Sequence, residues 1–189
     1  MERSKKLKAF ISYAHADYYA ETFIEELKKH SSEWDIWADD QLPLGKSWPK
    51  EIQKNIDKCD FAILLVSEDF FNSKYIKEEE FNKFLKRQNE SDFLFFPVLL
   101  NPCNIKQWKA LSEKQFFMPR GKKYGRSDMP NITYADLVKL DKNDTPIGNP
   151  YRSRYMVDLV ASLEKSVLEN QKKNRFHKNR KRYKSETWT

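Results

Sequence analysis

The sequence predicts an α/β domain in which helices cover both faces of a doubly wound parallel sheet. Apolar segments of strand length alternate with amphipathic segments of helical period, and this alternation is typical of such folds. Two of the apolar segments, FAILLV at 61–66 and FLFFPVLL at 93–100, are almost continuously hydrophobic. Strands that are buried on both faces have this composition, whereas strands with one wet face alternate.

The first two predicted strands lie near the amino terminus. Residues 8–12 form a short buried strand that ends in a loop at 13–17. A helix follows, with Asp17 as its expected N-cap. Its apolar stripe has a spacing of four residues and consists of Tyr19, Phe23 and Leu27. Residues 34–38 form the second strand.

The next helix begins after a loop at 39–46 that contains a proline and a glycine. Ser47 is its expected cap, and Pro49 is tolerated in the first turn of a helix. Its buried face is predicted to carry Ile52, Ile56 and Cys59.

The strand at 61–66 is followed by a helix that contains SKYIKEEEF, residues 73–81. Asn72 or Ser73 is the expected cap of this helix. The fourth strand, at 93–100, contains a proline, which indicates an edge strand or a bulge.

The pattern weakens after residue 102. Residues 106–118 have partly helical spacing, and residues 119–150 are rich in Pro, Gly, Asn and Asp, which predicts mostly loop. A last amphipathic helix is predicted at 155–168. We predict a domain at 1–170 and a basic tail at 171–189, with the tail either disordered or a frayed extension of the helix.

The positive charge of the chain is concentrated in this tail. The net charge is +7, and residues 171–189 contain eight Lys or Arg and one Glu, so the preceding residues are balanced. We interpret the tail as a solubilising segment. Nucleic-acid binding is not expected, and attraction of the tail to nucleic acid or an acidic membrane surface is the weaker hypothesis.

Composition argues against several classes of protein. No apolar run approaches the roughly 20 residues of a membrane span, which predicts a cytoplasmic protein with no membrane partner. The two cysteines, Cys59 and Cys103, and the three histidines are scattered without ligand spacing. Neither a disulfide framework nor a metal site is therefore expected.

Polar side chains follow each predicted strand, at the sheet edge where doubly wound domains bind ligands. They are Ser12, Tyr13, His15 and Asp17 after the first strand, Asp39 and Asp40 after the second, Ser67, Glu68 and Asp69 after the third, and Asn101 and Cys103 after the fourth. The chain has four glycines and lacks GxGxxG and GxxxxGK[ST], which argues against a phosphate-binding loop of either kind.

Two other catalytic arrangements are disfavoured. Ser12, His15 and Asp17 are too close in sequence for the usual Ser-His-Asp geometry. A phosphoacceptor site of the receiver type would need its aspartate directly after the central strand, and Asp69 comes two residues late.

The three consecutive glutamates at 78–80 have two interpretations. Carboxylates near a helix N-terminus are stabilised by about 0.3–1 kcal/mol each, so a solvated face would explain them. At 100° per residue, however, Glu79 points away from the apolar arc of the helix, whereas Glu80 lies along its flank. Glu80 is therefore predicted to be the partly buried carboxylate, and functional carboxylates tend to occupy such positions.

Four stretches of the chain resemble the Toll/interleukin-1 receptor (TIR) domain, particularly its bacterial branch. They are AFISYAHAD (9–17), DIWADDQLPLGKSW (35–48), IDKCDFAILLVSEDFFNSKYIKEEEF (56–81) and FPVLLNPC (96–103). The stretch at 35–48 resembles the BB loop of the family, and the stretch at 56–81 resembles its central strand and glutamate-bearing helix. The resemblance covers about residues 6–168 and implies a flavodoxin-like fold with about five strands.

The resemblance implies one of two functions. Many bacterial members resemble NAD⁺ glycohydrolases or cyclases, which release nicotinamide and form ADP-ribose or a cyclic isomer. Our first hypothesis is an enzyme of this type in bacterial anti-phage defence signalling, with NAD⁺ as substrate and no cofactor. The alternative is a non-enzymatic adaptor. Both imply self-association through the BB loop, Asp39 to Trp48, or binding to other TIR domains.

The family pattern implies a catalytic glutamate beside the nicotinamide-bearing ribose. The commonest pattern places it four residues after the aromatic Tyr75, which gives Glu79, whereas the bacterial pattern places it directly before an apolar residue, which gives Glu80. The helical-face argument favours Glu80. Substrate-binding positions are implied at Tyr75, where many enzymes have tryptophan, and less specifically at Phe10, Ser12, Asp39, Leu42, Trp48 and Ser67.

Overall fold

Four parallel strands form the sheet within the described part of the chain. They are β1 (Leu7–Ser12), β2 (Trp34–Trp37), β3 (Phe61–Val66) and β4 (Leu94–Leu99), in the spatial order β2-β1-β3-β4. The computed structural model describes residues 6–38, 48–91, 93–144 and 150–186, with the backbone alone described at 48, 141–144 and 175–186. The strand order places β4 at an edge, which confirms the prediction from Pro97.

The helices lie between and after the strands. The α-helices are α1 (Ala20–His30), α2 (Trp48–Lys58), α3 (Glu68–Asn72), α4 (Asn82–Glu90), α5 (Lys109–Ser112), α6 (Tyr134–Asp144) and α7 (Pro150–Glu186). A π-helix occupies Ile76–Phe81, directly before α4, and 3₁₀ turns occupy Ile105–Gln107 and Gly121–Tyr124.

Hydrophobic cores lie on both faces of the sheet, as the predicted fold class requires. Along β1, Ala9 and Ile11 enter one core with α1, α6 and α7, whereas Phe10 enters the other with α2, α3 and α4. All six residues of β3 are buried, which explains its continuously apolar sequence. The doubly wound α/β prediction is confirmed.

The number of strands agrees roughly with the expected five. Beyond β4 the described residues contain a single parallel bridge, between Val98 and Phe117, rather than a full fifth strand. Phe117 N–H donates to the Pro97 carbonyl at 2.9 Å, so this short segment still pairs with the outer side of β4.

The cap predicted for α1 is wrong. The helix begins at Ala20 after Tyr19, which makes no side-chain capping bond. Asp17 instead organises the preceding turn: its carboxylate accepts from the Tyr19 N–H at 3.3 Å, and its carbonyl accepts from the Ala20 N–H at 3.1 Å.

The loop predicted at 119–150 is also wrong in part, since α6 lies within it. Thr133 and Asp136 form a reciprocal capping box at its start: the Thr133 N–H donates to the Asp136 carboxylate at 2.9 Å, and the Asp136 N–H donates to the Thr133 hydroxyl at 3.3 Å. Tyr134 and Leu137 then bury their side chains in the core. The spacing Thr-x-x-Asp was a signal available in the sequence.

None of the helices in the described ranges is both long and apolar enough to cross a membrane.

Candidate active site

A cavity of about 330 Å³ opens at the carboxyl ends of β1 and β3. One wall is the loop after β1, and the other runs from α3 into the π-helix. Its polar and aromatic lining includes Tyr13, His15, Asp69, Ser73, Tyr75 and Glu80. This is the position where doubly wound domains bind ligands, and its volume is at the lower end of small-molecule sites.

Glu80 is the buried carboxylate of this cavity. Its side chain is 5% exposed, and it accepts a hydrogen bond of 2.5 Å from the hydroxyl of Ser12, which is 1% exposed. This contact is shorter than the usual 2.7–2.8 Å of a hydrogen bond between two oxygens.

The register between β1 and the helix opposite explains why Ser12 meets Glu80. Phe10 and Ser12 point to the same face of the sheet because strand side chains alternate. Phe10 packs against Phe84 of α4, with ring centroids 5.6 Å apart. Moving two residues along a strand covers about 6.7 Å, and moving four residues back along a helix covers about 6 Å, which brings Ser12 level with Glu80.

The other two glutamates of the run point to solvent. Glu78 and Glu79 are exposed. The backbone carbonyl of Glu79 accepts a hydrogen bond from the side-chain amide of Gln53 at 3.2 Å. Glu80 is therefore the one buried carboxylate of the three.

The π-helix explains why Glu80 faces the cavity and Glu79 faces solvent. In a π-turn each carbonyl pairs with the amide five residues later, so the residue one turn after Tyr75 is Glu80, whereas in an α-helix it would be Glu79. Tyr75 is partly buried and lines the same cavity as Glu80. Within the loop after β1, the rings of Tyr13 and His15 are in contact, with centroids 5.2 Å apart.

Two of the remaining predicted site residues have structural contacts instead. Phe10 is not among the residues that line the cavity: it is 1% exposed, stacks on Trp37 at 4.8 Å and belongs to the core. Ser67 caps α3, where its hydroxyl accepts from the Phe70 N–H at 3.1 Å.

Most of the predicted BB loop, residues 39–47, lies outside the described part of the chain. Asp39 and Leu42 lie outside the described residues, as does the side chain of Trp48.

For some of the residues that line the cavity, no substrate-binding or catalytic role was predicted from the sequence. His15 and Asp69 were expected at the sheet edge because they follow strands, but Asn72 was considered only as a helix cap. It lines the cavity because α3 ends there and the chain turns before the π-helix. The cap predicted at Asn72 or Ser73 marks the helix start that follows this break, whereas α3 before it was not predicted.

No group of three or more His, Cys, Asp or Glu is arranged to hold a metal ion within the described ranges. The groups of the cavity are thus an imidazole, carboxylates, hydroxyls and aromatic rings. Such a set offers hydrogen-bond donors and acceptors together with aromatic faces.

Comparisons with known proteins agree with this architecture. The TIR domain family model matches residues 9–145. A probable 2′ cyclic ADP-D-ribose synthase, TcpO of Methanobrevibacter olleyae, is 32% identical over 98 residues, which are 50% of this chain and 28% of that protein. The uncharacterized protein y4lF of Sinorhizobium fredii is 28% identical over 98 residues, which are 50% of this chain and 30% of that protein.

The chain therefore matches less than a third of the length of these two curated relatives. Among solved structures, the TIR domain of the Toll-related receptor TRR-2 from Hydra magnipapillata has a TM-score of 0.48 and 16% identity, over 71% of this chain and 98% of that one. Since the family model spans most of the sequence, this chain belongs to the TIR domain family.

Proposed function

We propose that this protein is an NAD⁺ glycohydrolase or cyclase that releases nicotinamide and forms ADP-ribose or a cyclic isomer. The observation that carries the proposal is the Glu80 carboxylate, which is buried at the wall of the cavity and accepts a 2.5 Å hydrogen bond from Ser12. A buried, oriented carboxylate suits a reaction in which positive charge develops on the substrate.

The proposed reaction begins with cleavage of the bond between ribose C1′ and the nicotinamide nitrogen. Both bonding electrons go to that nitrogen, so nicotinamide leaves as a neutral molecule and needs no proton donor. The ribose becomes cationic in an oxocarbenium-like transition state. Water then adds to C1′ and loses a proton to give ADP-ribose, or a hydroxyl of the same molecule adds and loses its proton to give a cyclic product.

Three of the described residues, Glu80, Ser12 and Tyr75, have a role in this scheme. The Glu80 carboxylate stabilises the cationic ribose and orients its hydroxyls, and Ser12 holds that carboxylate in place. Tyr75 offers an aromatic face on the same wall for the nicotinamide ring. We propose that Asp39, Leu42 and Trp48 of the BB loop add substrate contacts when copies of the domain associate.

The name of one relative supports the cyclic branch of the reaction. TcpO, which matches half of this chain, is named as a probable 2′ cyclic ADP-D-ribose synthase. A cyclic nucleotide product suits a signalling role, and we propose that the protein acts in anti-phage defence inside the bacterial cell.

The test is an assay of the purified full chain at high concentration with NAD⁺, with nicotinamide and the ribosyl product separated by chromatography. The wild type should release nicotinamide. Glu80→Gln should lower kcat by about 10²–10³-fold, since it removes the negative charge and keeps the size of the side chain. The matched control, Glu79→Gln, changes an exposed neighbour and should keep its activity.

Two outcomes would contradict the proposal. Loss of activity in Glu79→Gln with retention in Glu80→Gln would reverse the assignment of the glutamates. A wild type that releases no nicotinamide under conditions that promote self-association would favour the alternative, a non-enzymatic adaptor. An adaptor should keep its binding to other TIR domains in Glu80→Gln and lose it when Pro43 or Leu44 is replaced.

A further inference from the structure

The helix that carries the glutamates has one residue more than a regular α-helix would need. Its buried apolar side chains are Ile76, Phe81 and Phe84, which are 3%, 4% and 0% exposed. Their spacing is five and then three residues. An amphipathic α-helix buries residues at i, i+4 and i+7, so this set fits the helical period except for a single extra residue.

The extra residue lies in the π-helix. This single turn, Ile76–Phe81, is followed directly by the regular helix α4. An isolated π-turn within a helix accommodates one residue more per turn and is found frequently at functional sites. Ile76 at the start of the turn and Phe81 at its end lie in the same core as Phe84 of α4.

The extra residue changes which glutamate faces the cavity. With α-helical pairing, the residue one turn after Tyr75 would be Glu79 and Glu80 would rotate toward the flank. With the π-turn, Glu80 is one turn after Tyr75, and Glu79 is exposed. The Glu80 carboxylate then reaches Ser12 at 2.5 Å.

We propose that the π-turn is a one-residue insertion that selects Glu80 as the cavity carboxylate, and that removal of one exposed glutamate restores an α-helix with Glu80 still bound to Ser12. Deletion of Glu79 gives the same chain as deletion of either neighbouring glutamate, because the three are consecutive. The glutamate that then precedes Phe81, numbered here as Glu80, lies four residues after Tyr75, and Phe81 lies four residues after Ile76. Both pairs then follow the α-helical period, so the buried contacts of the wild type are kept. The catalytic part of the inference rests on the proposed function, whereas the structural part does not.

The test compares deletion of Glu79 with deletion of Glu25. Both remove one exposed glutamate from a helix, but Glu25 lies in the regular helix α1, between the buried residues Ile24 and Leu27. Deletion there rotates all later residues by about 100° and moves Leu27 out of the core. The Glu79 deletion should melt within about 4 °C of the wild type, and the Glu25 deletion should melt roughly 10 °C or more below it.

A crystal structure of the Glu79 deletion provides the direct readout. The segment should be α-helical, with the Glu80 carboxylate within about 3 Å of the Ser12 hydroxyl. If the wild type releases nicotinamide, this variant should retain at least about one tenth of the rate, and adding Glu80→Gln to it should abolish activity.

The outcomes separate this inference from the proposed function. A wild type without activity contradicts the proposed function, while melting and crystallography still test the π-turn. A Glu79 deletion that is as unstable as the Glu25 deletion, or that turns the Glu80 side chain away from Ser12, would overturn the inference.

Discussion

Glu80 is a carboxylate in a place that water reaches poorly, so its neighbours determine whether burial is tolerable. Transferring an ionised group into a protein interior costs several kcal/mol unless hydrogen bonds or opposite charges compensate. Ser12 supplies one such bond from a hydroxyl that is itself buried. Stability alone would not require this pair, which supports a role for the carboxylate in ligand chemistry.

The sequence predicted correctly that Glu80 is the buried carboxylate, but the helical-phase argument explains only part of its burial. Helical phase at 100° per residue separates Glu79 from Glu80 but places Glu80 only on the flank. In the π-turn Glu80 is buried, as are Ile76 and Phe81. Local sequence does not predict a π-turn, because its cost is offset by tertiary contacts of the residues on either side.

The two cysteines provide a pH prediction at the residue scale. Burial raises the pKa of the Cys59 thiol to about 11, and the nearby Arg87 guanidinium opposes this only in part. Burial, Glu68 and Asp17 raise the pKa of the Cys103 thiol to about 11. Both thiols should stay protonated at pH 7, and because the thiolate is the reactive form, alkylation should accelerate about tenfold per pH unit between pH 7 and 9.

Mass spectrometry after timed iodoacetamide treatment measures this rate for each thiol. Cys103, which is less buried than Cys59, should be alkylated first. The variants Cys59→Ser and Cys103→Ser isolate each signal. Rapid labelling at pH 7 that does not change with pH would show that the thiol is already a thiolate.

At the scale of elements, the chain after β3 forms three short helices where the sequence suggested one. Ser67 follows β3 and caps α3. At the start of the next helical segment, the Ser73 hydroxyl accepts from the Ile76 N–H at 3.3 Å. The role of Ser73 as a cap was predicted, but α3 was not. A helix of five residues has too few turns for its period to appear in the sequence.

The cap of α3 leads to a prediction about stability. Ser67→Ala should lower the free energy of unfolding by about 1 kcal/mol, because the Phe70 N–H then loses its acceptor at a buried helix start. Chemical denaturation monitored by circular dichroism measures this change. The control is Ser162→Ala, which removes an exposed hydroxyl that donates to the Asp158 carbonyl within α7 and should change stability by less than about 0.5 kcal/mol. Equal effects in the two variants would show that the cap does not stabilise α3.

At the scale of the whole molecule, α7 both completes a core and continues beyond it. Its buried side chains in this core include Tyr155, Leu159, Leu163 and Val167, which form one stripe, together with Met156 and Val160. The helix itself extends to Glu186, through the residues that carry the excess positive charge. The helical extension agrees with one of the two alternatives for the tail, and the domain boundary at residue 170 stays a prediction.

Truncation tests where the folded domain ends. A chain that stops at Asn174 keeps every buried residue of α7 named above and should melt within about 4 °C of the full chain, with lower helical ellipticity. A control that stops at Asp158 removes Leu159, Leu163 and Val167 and should not fold, since each buried aliphatic side chain contributes about 2–5 kcal/mol. A large drop in melting temperature for the first truncation would show that the basic segment packs on the domain.

The sequence by itself determined the parallel α/β architecture, the family and the group of residues that contains the candidate carboxylate. The alternation of apolar strands with amphipathic helices can be recognised without knowledge of long-range contacts, because each period spans only a few neighbouring residues. The tertiary structure alone decided that Ser12 meets Glu80 and that Phe10 belongs to the core. These outcomes depend on contacts between residues far apart in the chain, whose free energies exceed the local preferences of fractions of a kcal/mol per residue.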